Sequence, residues 1–124
     1  MVKIKKKMLI PEILKQISDI KKDGKNELRL GDLSVKRDFI YIDDAVKIIG
    51  DSILDKENMK NQIKNIASGY SLSPKYIAKK LLEKNNLKSK VISVHSKRRK
   101  NESKIERVQV QLKTRHFKDC IKFL

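Results

Sequence analysis

Isoleucines and leucines open the chain with a helical period. Ile10, Ile13, Leu14, Ile17 and Ile20 recur three and four residues apart, which puts them on one face of an amphipathic helix of about three turns. Pro11 suits the first helical position, where its missing N–H costs nothing, and Asp23-Gly24 closes the helix. The pattern then shortens to bursts that alternate or run apolar, so residues 27–30 and 37–42 read as strands. Asp43 is expected to cap a second helix with Ala45, Val46, Ile48, Ile49 and Ile53 facing inward. Residues 62–67 read as a short buried strand that Ser68-Gly69 turns. Ser73 caps a third helix with Pro74 at its first position and Ile77, Leu81 and Leu82 inward. A strand is expected at 91–94, a basic loop at 95–104 and an extended stretch at 107–112. Phe117, Cys120, Ile121 and Leu124 share one face of a terminal helix. The expectation is an α/β fold in one domain, residues 1–124, with short strands alternating with about four helices. There is no internal repeat and no low-complexity linker.

Composition changes this picture only at the edges. A length of 124 residues supports one modest core, built here from aliphatic side chains, since Trp is absent and aromatics make up 5%. The net charge of +16 raises nucleic acid as a partner. Yet the lysines are spread along the chain beside many Ile and Asn residues, a bias that an AT-rich coding sequence also produces. Few aromatics are available to stack on bases, and no reading module such as a helix-turn-helix is present. A solvated basic surface is the preferred reading. Cys120 is the one cysteine, which excludes an internal disulfide and fits a reducing compartment. The basic start, residues 1–7, is followed by an apolar run that stops at Pro11-Glu12, too short for a signal peptide or a span. A cytoplasmic protein without a membrane partner is therefore expected.

Arg37 is the candidate with chemistry. An arginine on a strand, after a loop begun by Gly31, can grip a phosphate with two parallel hydrogen bonds. Its own letters favour a plain surface arginine on an edge strand. The neighbouring residues separate the two readings. Gly31, then Arg37-Asp38-Phe39, Ile40-Tyr41 and Ile42-Asp43-Asp44 resemble the segment by which extended short-chain dehydrogenase/reductases enter their substrate domain. These are the NAD-dependent epimerase/dehydratase group. The resemblance implies that Arg37 contacts the diphosphate of a sugar nucleotide and that Phe39 lies near the nucleoside. It makes Asp43 and Asp44 architectural, capping the helix and tying down the strand end. Asn65-Ile66-Ala67-Ser68-Gly69 is similar to the family's Asn-Ile-Gly-Ser-Gly turn, with Ala67 in place of glycine, and Leu72-Ser73 continues the match. Arg99-Lys-Asn-Glu102 fits the family's Arg-x-x-Asp/Glu, in which the arginine meets phosphate and the acid meets ribose hydroxyls. Lys97, Arg98 and Lys100 crowd that spacing, and a solvated basic loop explains the same letters. The resemblance covers about residues 8–102 and looks closest to GDP-mannose 4,6-dehydratases. Residues 103–124 lack the family's Asp, Trp and Pro and form a divergent tail, decayed, out of frame or from a distant branch.

So read, the chain is the C-terminal part of a Rossmann-type epimerase/dehydratase, with the nucleotide-binding Rossmann half absent. Its glycines, Gly24, Gly31, Gly50 and Gly69, cannot make the Gly-x-x-Gly-x-x-Gly loop that cradles pyrophosphate. Tyr76 and Lys80 have the spacing of the family's catalytic Tyr-x-x-x-Lys, in which lysine lowers the tyrosine pKa. They lie on a helix that the family places well downstream of that pair, so no catalytic residue is assigned. NAD(P) is implied for the complete enzyme and not for this chain alone. His116 and Cys120 stand four apart with His95 remote, a poor zinc set; a buried cysteine and an exposed histidine are expected instead. The expected function is the substrate-binding portion of an NAD(P)-dependent nucleotide-sugar epimerase/dehydratase. It would bind a nucleotide diphosphate sugar through Arg37, Phe39, Arg99 and Glu102 without being catalytically self-sufficient. A basic nucleic-acid-binding module and a non-functional truncated remnant stay open as alternatives. In the family, the helix at Asp43 and the strand at Asn65 pack on the cofactor domain. Their apolar residues therefore call for a partner chain carrying the Rossmann half, or for a second copy.

Overall fold

The computed structural model describes residues 8–55, 63–95 and 109–124. In chain order its elements are α1 (Leu9–Asp23), β1 (Glu27–Leu30), β2 (Arg37–Asp38), α2 (Ile42–Leu54), β3 (Ile66–Ala67), β4 (Ser71–Leu72), α3 (Pro74–Lys84), β5 (Lys90–Ser93), β6 (Leu112–Lys113), α4 (Phe117–Cys120) and a 3-10 turn (Ile121–Phe123). This is the expected α/β alternation, with four α-helices among the described residues. They divide into two compact units, one holding 8–35 and 73–95, the other 36–55, 63–72 and 109–124. No helix among the described residues is long and apolar enough to cross a membrane.

The first unit is a parallel strand pair covered by two helices. β1 and β5 run parallel with Leu28 opposite Val91, a pairing that needs a long crossover, and α3 lies on that crossover. Ile13, Ile17 and Ile20 of α1 meet Leu28, Leu30 and the Ile77, Ala78, Leu81 and Leu82 face of α3 in the core. Fully burying one such side chain is worth about 1.5–3 kcal/mol. Gly24 ends α1 at φ +67°, a backbone state that glycine adopts freely, and its N–H returns to Ile20 O at 2.9 Å. α1 begins two residues earlier than Pro11 suggested. The proline is still in the first turn, where its N–H would have no acceptor. At the start of α3, Ser73 Oγ accepts from Tyr76 N–H at 3.2 Å and Pro74 takes the first helical position, both as expected. Gln16 reaches from α1 to the outer edge of β1. Its carboxamide donates to Arg29 O and accepts from Arg29 N–H, each at 2.7 Å, as a neighbouring strand would.

The second unit carries β2 antiparallel to β4 and β3 parallel to β6. Several expectations change here, the first being the short buried strand over 62–67: among the described residues only Ile66–Ala67 is strand, and Ile63 is 97% exposed. The strand expected over 37–42 is only Arg37–Asp38, because the chain enters α2 at Ile42. Tyr41, not Asp43, is the N-cap; Asp43 and Asp44 lie in the first helical turn, where negative charge is favoured. The apolar face of α2 is not inward. Ala45 is buried, while Ile42, Val46, Ile49 and Ile53 are 66%, 60%, 50% and 67% exposed. Helical spacing marks these residues as one stripe, but no described element of this unit covers it. In α4, Phe117 and Cys120 are buried, whereas Leu124 is exposed. After Cys120 the chain tightens from α to 3-10 geometry, so the four apolar residues do not stay on one line.

Candidate functional site

Successive strand residues point to opposite faces, so Arg37 and Asp38 part company on β2. Asp38 turns to the loop that links β3 and β4. Its Oδ1 accepts from Ser68 N–H at 3.0 Å and from Ser68 Oγ–H at 2.7 Å, and its Oδ2 accepts from Gly69 N–H at 2.9 Å. Ser68 is 1% exposed, and its Oγ also accepts from Tyr70 N–H at 3.1 Å. Gly69 holds φ +86°, which explains glycine at this position. Ala67 lies in β3, where a methyl is tolerated, so its departure from the glycine pattern is harmless. The carboxylate thus fastens the Ser68-Gly69 turn to the strand that carries Arg37.

Arg37 is half-buried, and its guanidinium donates to Lys36 O at 2.9 Å. Phe39 follows on the same strand direction and is also half-buried. Arg99 and Glu102 lie outside the described residues, as does the crowded run Lys97-Arg98 and Lys100. Residues of the tail complete the neighbourhood. Asn65 O accepts from Leu112 N–H at 3.1 Å, Asn65 N–H is taken by Gln111 Oε1 at 2.8 Å, and Thr114 N–H goes to Ala67 O at 2.9 Å. Tyr70, half-exposed at 46%, has the His116 ring 4.4 Å away, tilted by 60°, and Lys113 Nζ 5.4 Å from its centre.

Asp44 also has a tail partner. Arg115 Nη2 lies 2.7 Å from Asp44 Oδ1, Arg115 Nε bonds both carboxylate oxygens, and Arg115 N–H donates to Oδ2 at 3.1 Å. The same guanidinium lies 5.7 Å from the Tyr41 ring and 5.3 Å from that of Phe123, and those two rings stack at 4.9 Å. Asp44 is therefore architectural, as the sequence suggested, through an ion pair rather than through a cap. The Arg115 guanidinium holds the Asp44 carboxyl below its ordinary range. A hydrogen bond with Asp43, then burial, lifts the Tyr41 phenol above its ordinary value, and burial pushes the Cys120 thiol up.

A depressed carboxylate contributes stability above its unfolded value, about 3.9, and loses it as pH falls through the lower folded value. Exchange protection of the Arg115 N–H is accordingly expected to persist from neutral pH to about pH 4 and to disappear below it. Protection that stays unchanged however far the pH falls below about 3.9 would mean that the pair does not hold the tail.

The remaining candidates find ordinary roles. Lys80 Nζ sits over the Tyr76 ring at 5.7 Å from its centre and pairs with Glu83 at 3.5 Å, so the two residues do not form an acid–base pair. His116 Nδ1 accepts from Lys118 N–H at 3.0 Å and is half-buried against Tyr70 rather than exposed. No group of three His, Cys, Asp or Glu able to hold a metal occurs among the described residues. Asp38 and Tyr70 had no role assigned from the sequence, where Lys113 and Arg115 read only as part of the basic surface. Of these, Asp38 carried a signal, as the neighbour of arginine in the Arg-Asp-Phe/Tyr pattern.

Comparison with known proteins follows the same lines. A family model described as GDP-mannose 4,6 dehydratase matches residues 3–121, which includes the tail. Comparison with curated protein sequences gives no match. Among solved structures the chain is similar to RMD from Pseudomonas aeruginosa complexed with NADPH, at 20% identity and a TM-score of 0.66. That superposition covers 86% of this chain and 34% of the other, so the chain spans about a third of that protein's length.

Proposed function

The chain belongs to the GDP-mannose 4,6-dehydratase family, and on that premise we propose that it is the substrate-binding portion of a nucleotide-sugar-transforming enzyme. The observation that supports it is the Asp38 clamp, which presents Arg37 from a strand fixed at both ends of its short ladder. Arg37 supplies the planar, permanently charged fork that suits a diphosphate, and Phe39 lies beside it for the nucleoside. Arg99 and Glu102 would complete the grip on phosphate and ribose.

The described residues do not fit the dinucleotide cofactor of the complete enzyme. Their left-handed glycines, Gly24 and Gly69, close a helix and turn a strand, and neither opens a helix toward a pyrophosphate. The cofactor belongs instead to a complementary half, on the same polypeptide or another, docked on the open face of α2. Hydride transfer is a property of that union.

Titration of GDP-mannose into the chain tests the reading. Arg37→Ala is expected to weaken binding roughly 10- to 150-fold, the value of charge-assisted hydrogen bonds. Equal affinity of wild type and Arg37→Ala, or no binding by either, would overturn it.

A further inference from the structure

We infer that Tyr70, backed by Lys113, is a second nucleotide-contacting residue of this site and stacks on the base of the sugar nucleotide. The inference rests on the substrate-binding reading above and adds to it a residue that the family pattern does not single out.

Register places the side chain. Asp38 stands opposite Ser71 and Arg37 opposite Leu72 in the antiparallel β2–β4 pair. One further step of that register sets residue 70 opposite residue 39. Opposed residues of an antiparallel pair share a face, and alternate residues along a strand do too. Arg37 and Leu72 therefore share one face and Asp38 takes the other, while Phe39 follows β2 and Tyr70 precedes β4 at the same end of that ladder.

The backbone of Tyr70 is already fixed. Its N–H is held by Ser68 Oγ, itself a donor to Asp38, so presenting the ring costs little ordering on binding. The ring remains 46% exposed, and the ammonium of Lys113 lies 5.4 Å from its centre. The Lys113 ammonium lies over the ring and the His116 ring tilts against it at 4.4 Å, so a base would stack on the ring surface that stays open while the cation meets its phosphate. β3–β6 pairing sets Lys113 there, opposite Ala67, so the tail takes part in the site.

The test uses two probes on the full chain, GDP-mannose and inorganic pyrophosphate, against wild type, Arg37→Ala, Tyr70→Ala and Tyr70→Phe. Tyr70→Ala is expected to weaken GDP-mannose roughly 5- to 100-fold and to leave pyrophosphate unchanged, with Tyr70→Phe restoring affinity. Arg37→Ala should weaken both probes. GDP-mannose affinity that falls with Arg37→Ala but not with Tyr70→Ala overturns the Tyr70 role alone. A parallel loss of pyrophosphate in Tyr70→Ala also overturns it, by making the residue structural. Absence of GDP-mannose binding by the wild type overturns this inference together with the reading beneath it.

Discussion

Asp38→Ala should cost the second unit about 3–5 kcal/mol. The carboxylate receives three hydrogen bonds from one turn, and hydrogen bonds to a charged group are worth about 1.5–3 kcal/mol each, with less than full additivity. Removing it leaves the Ser68 N–H and hydroxyl without their acceptor in a residue that is 1% exposed. Domains are stable by about 5–15 kcal/mol, so the loss brings this unit close to unfolding at ambient temperature. Asp38→Asn should fall between the two, since its carbonyl can still accept from Ser68 while its amide opposes the Gly69 N–H. The measurement is urea unfolding read together with amide exchange at Gly69. Both variants unfolding with the wild type, and Gly69 equally protected, would show that the clamp carries no weight. Sugar-nucleotide binding should fall in step with the exchange protection, although Asp38 faces away from Arg37.

How far the sequence reveals this molecule depends on the separation of the interacting residues. The first unit was readable because its signals are local. Three- and four-residue spacing marks Ile13, Ile17 and Ile20, and Gly24, Ser73 and Pro74 mark the ends of helices within a turn of where they act. Residues 39–42, Phe-Ile-Tyr-Ile, have every propensity for a strand, and tertiary context overrides it. The Asp38 clamp joins residues 30 apart and the Arg115–Asp44 pair joins residues 71 apart. No periodicity encodes such contacts. The family pattern carried attention to Arg37, whose role is chemical, and past Asp38, whose role is to hold the turn. The tail looked featureless for the same reason, since its partners, Asn65, Ala67 and Asp44, all lie far back in the chain. Amphipathic spacing on α2 identified the apolar face, but whether anything covers a face is not a property of the helix itself.

That uncovered face leads to the largest effect on assembly. The double substitution Val46→Glu, Ile49→Glu is expected to abolish docking of a cofactor-binding half and to leave the chain's own fold intact, because both side chains are already mostly exposed. Each such residue contributes about 1.5–3 kcal/mol when buried, so losing two weakens association by roughly 100- to 10,000-fold before the cost of burying new charge. Circular dichroism should be unchanged, while dye binding to apolar surface and co-purification with the NADPH-binding half of a family member should both vanish. A dye-dark wild type, or a double variant that still co-purifies, would remove α2 as the docking face. Net charge separates the two possible occupants. Two chains of +16 repel, so pairing with a second copy should strengthen as salt screens that repulsion. Union with a cofactor half of opposite net charge should weaken over the same range of salt. Sedimentation at low and high ionic strength therefore distinguishes them.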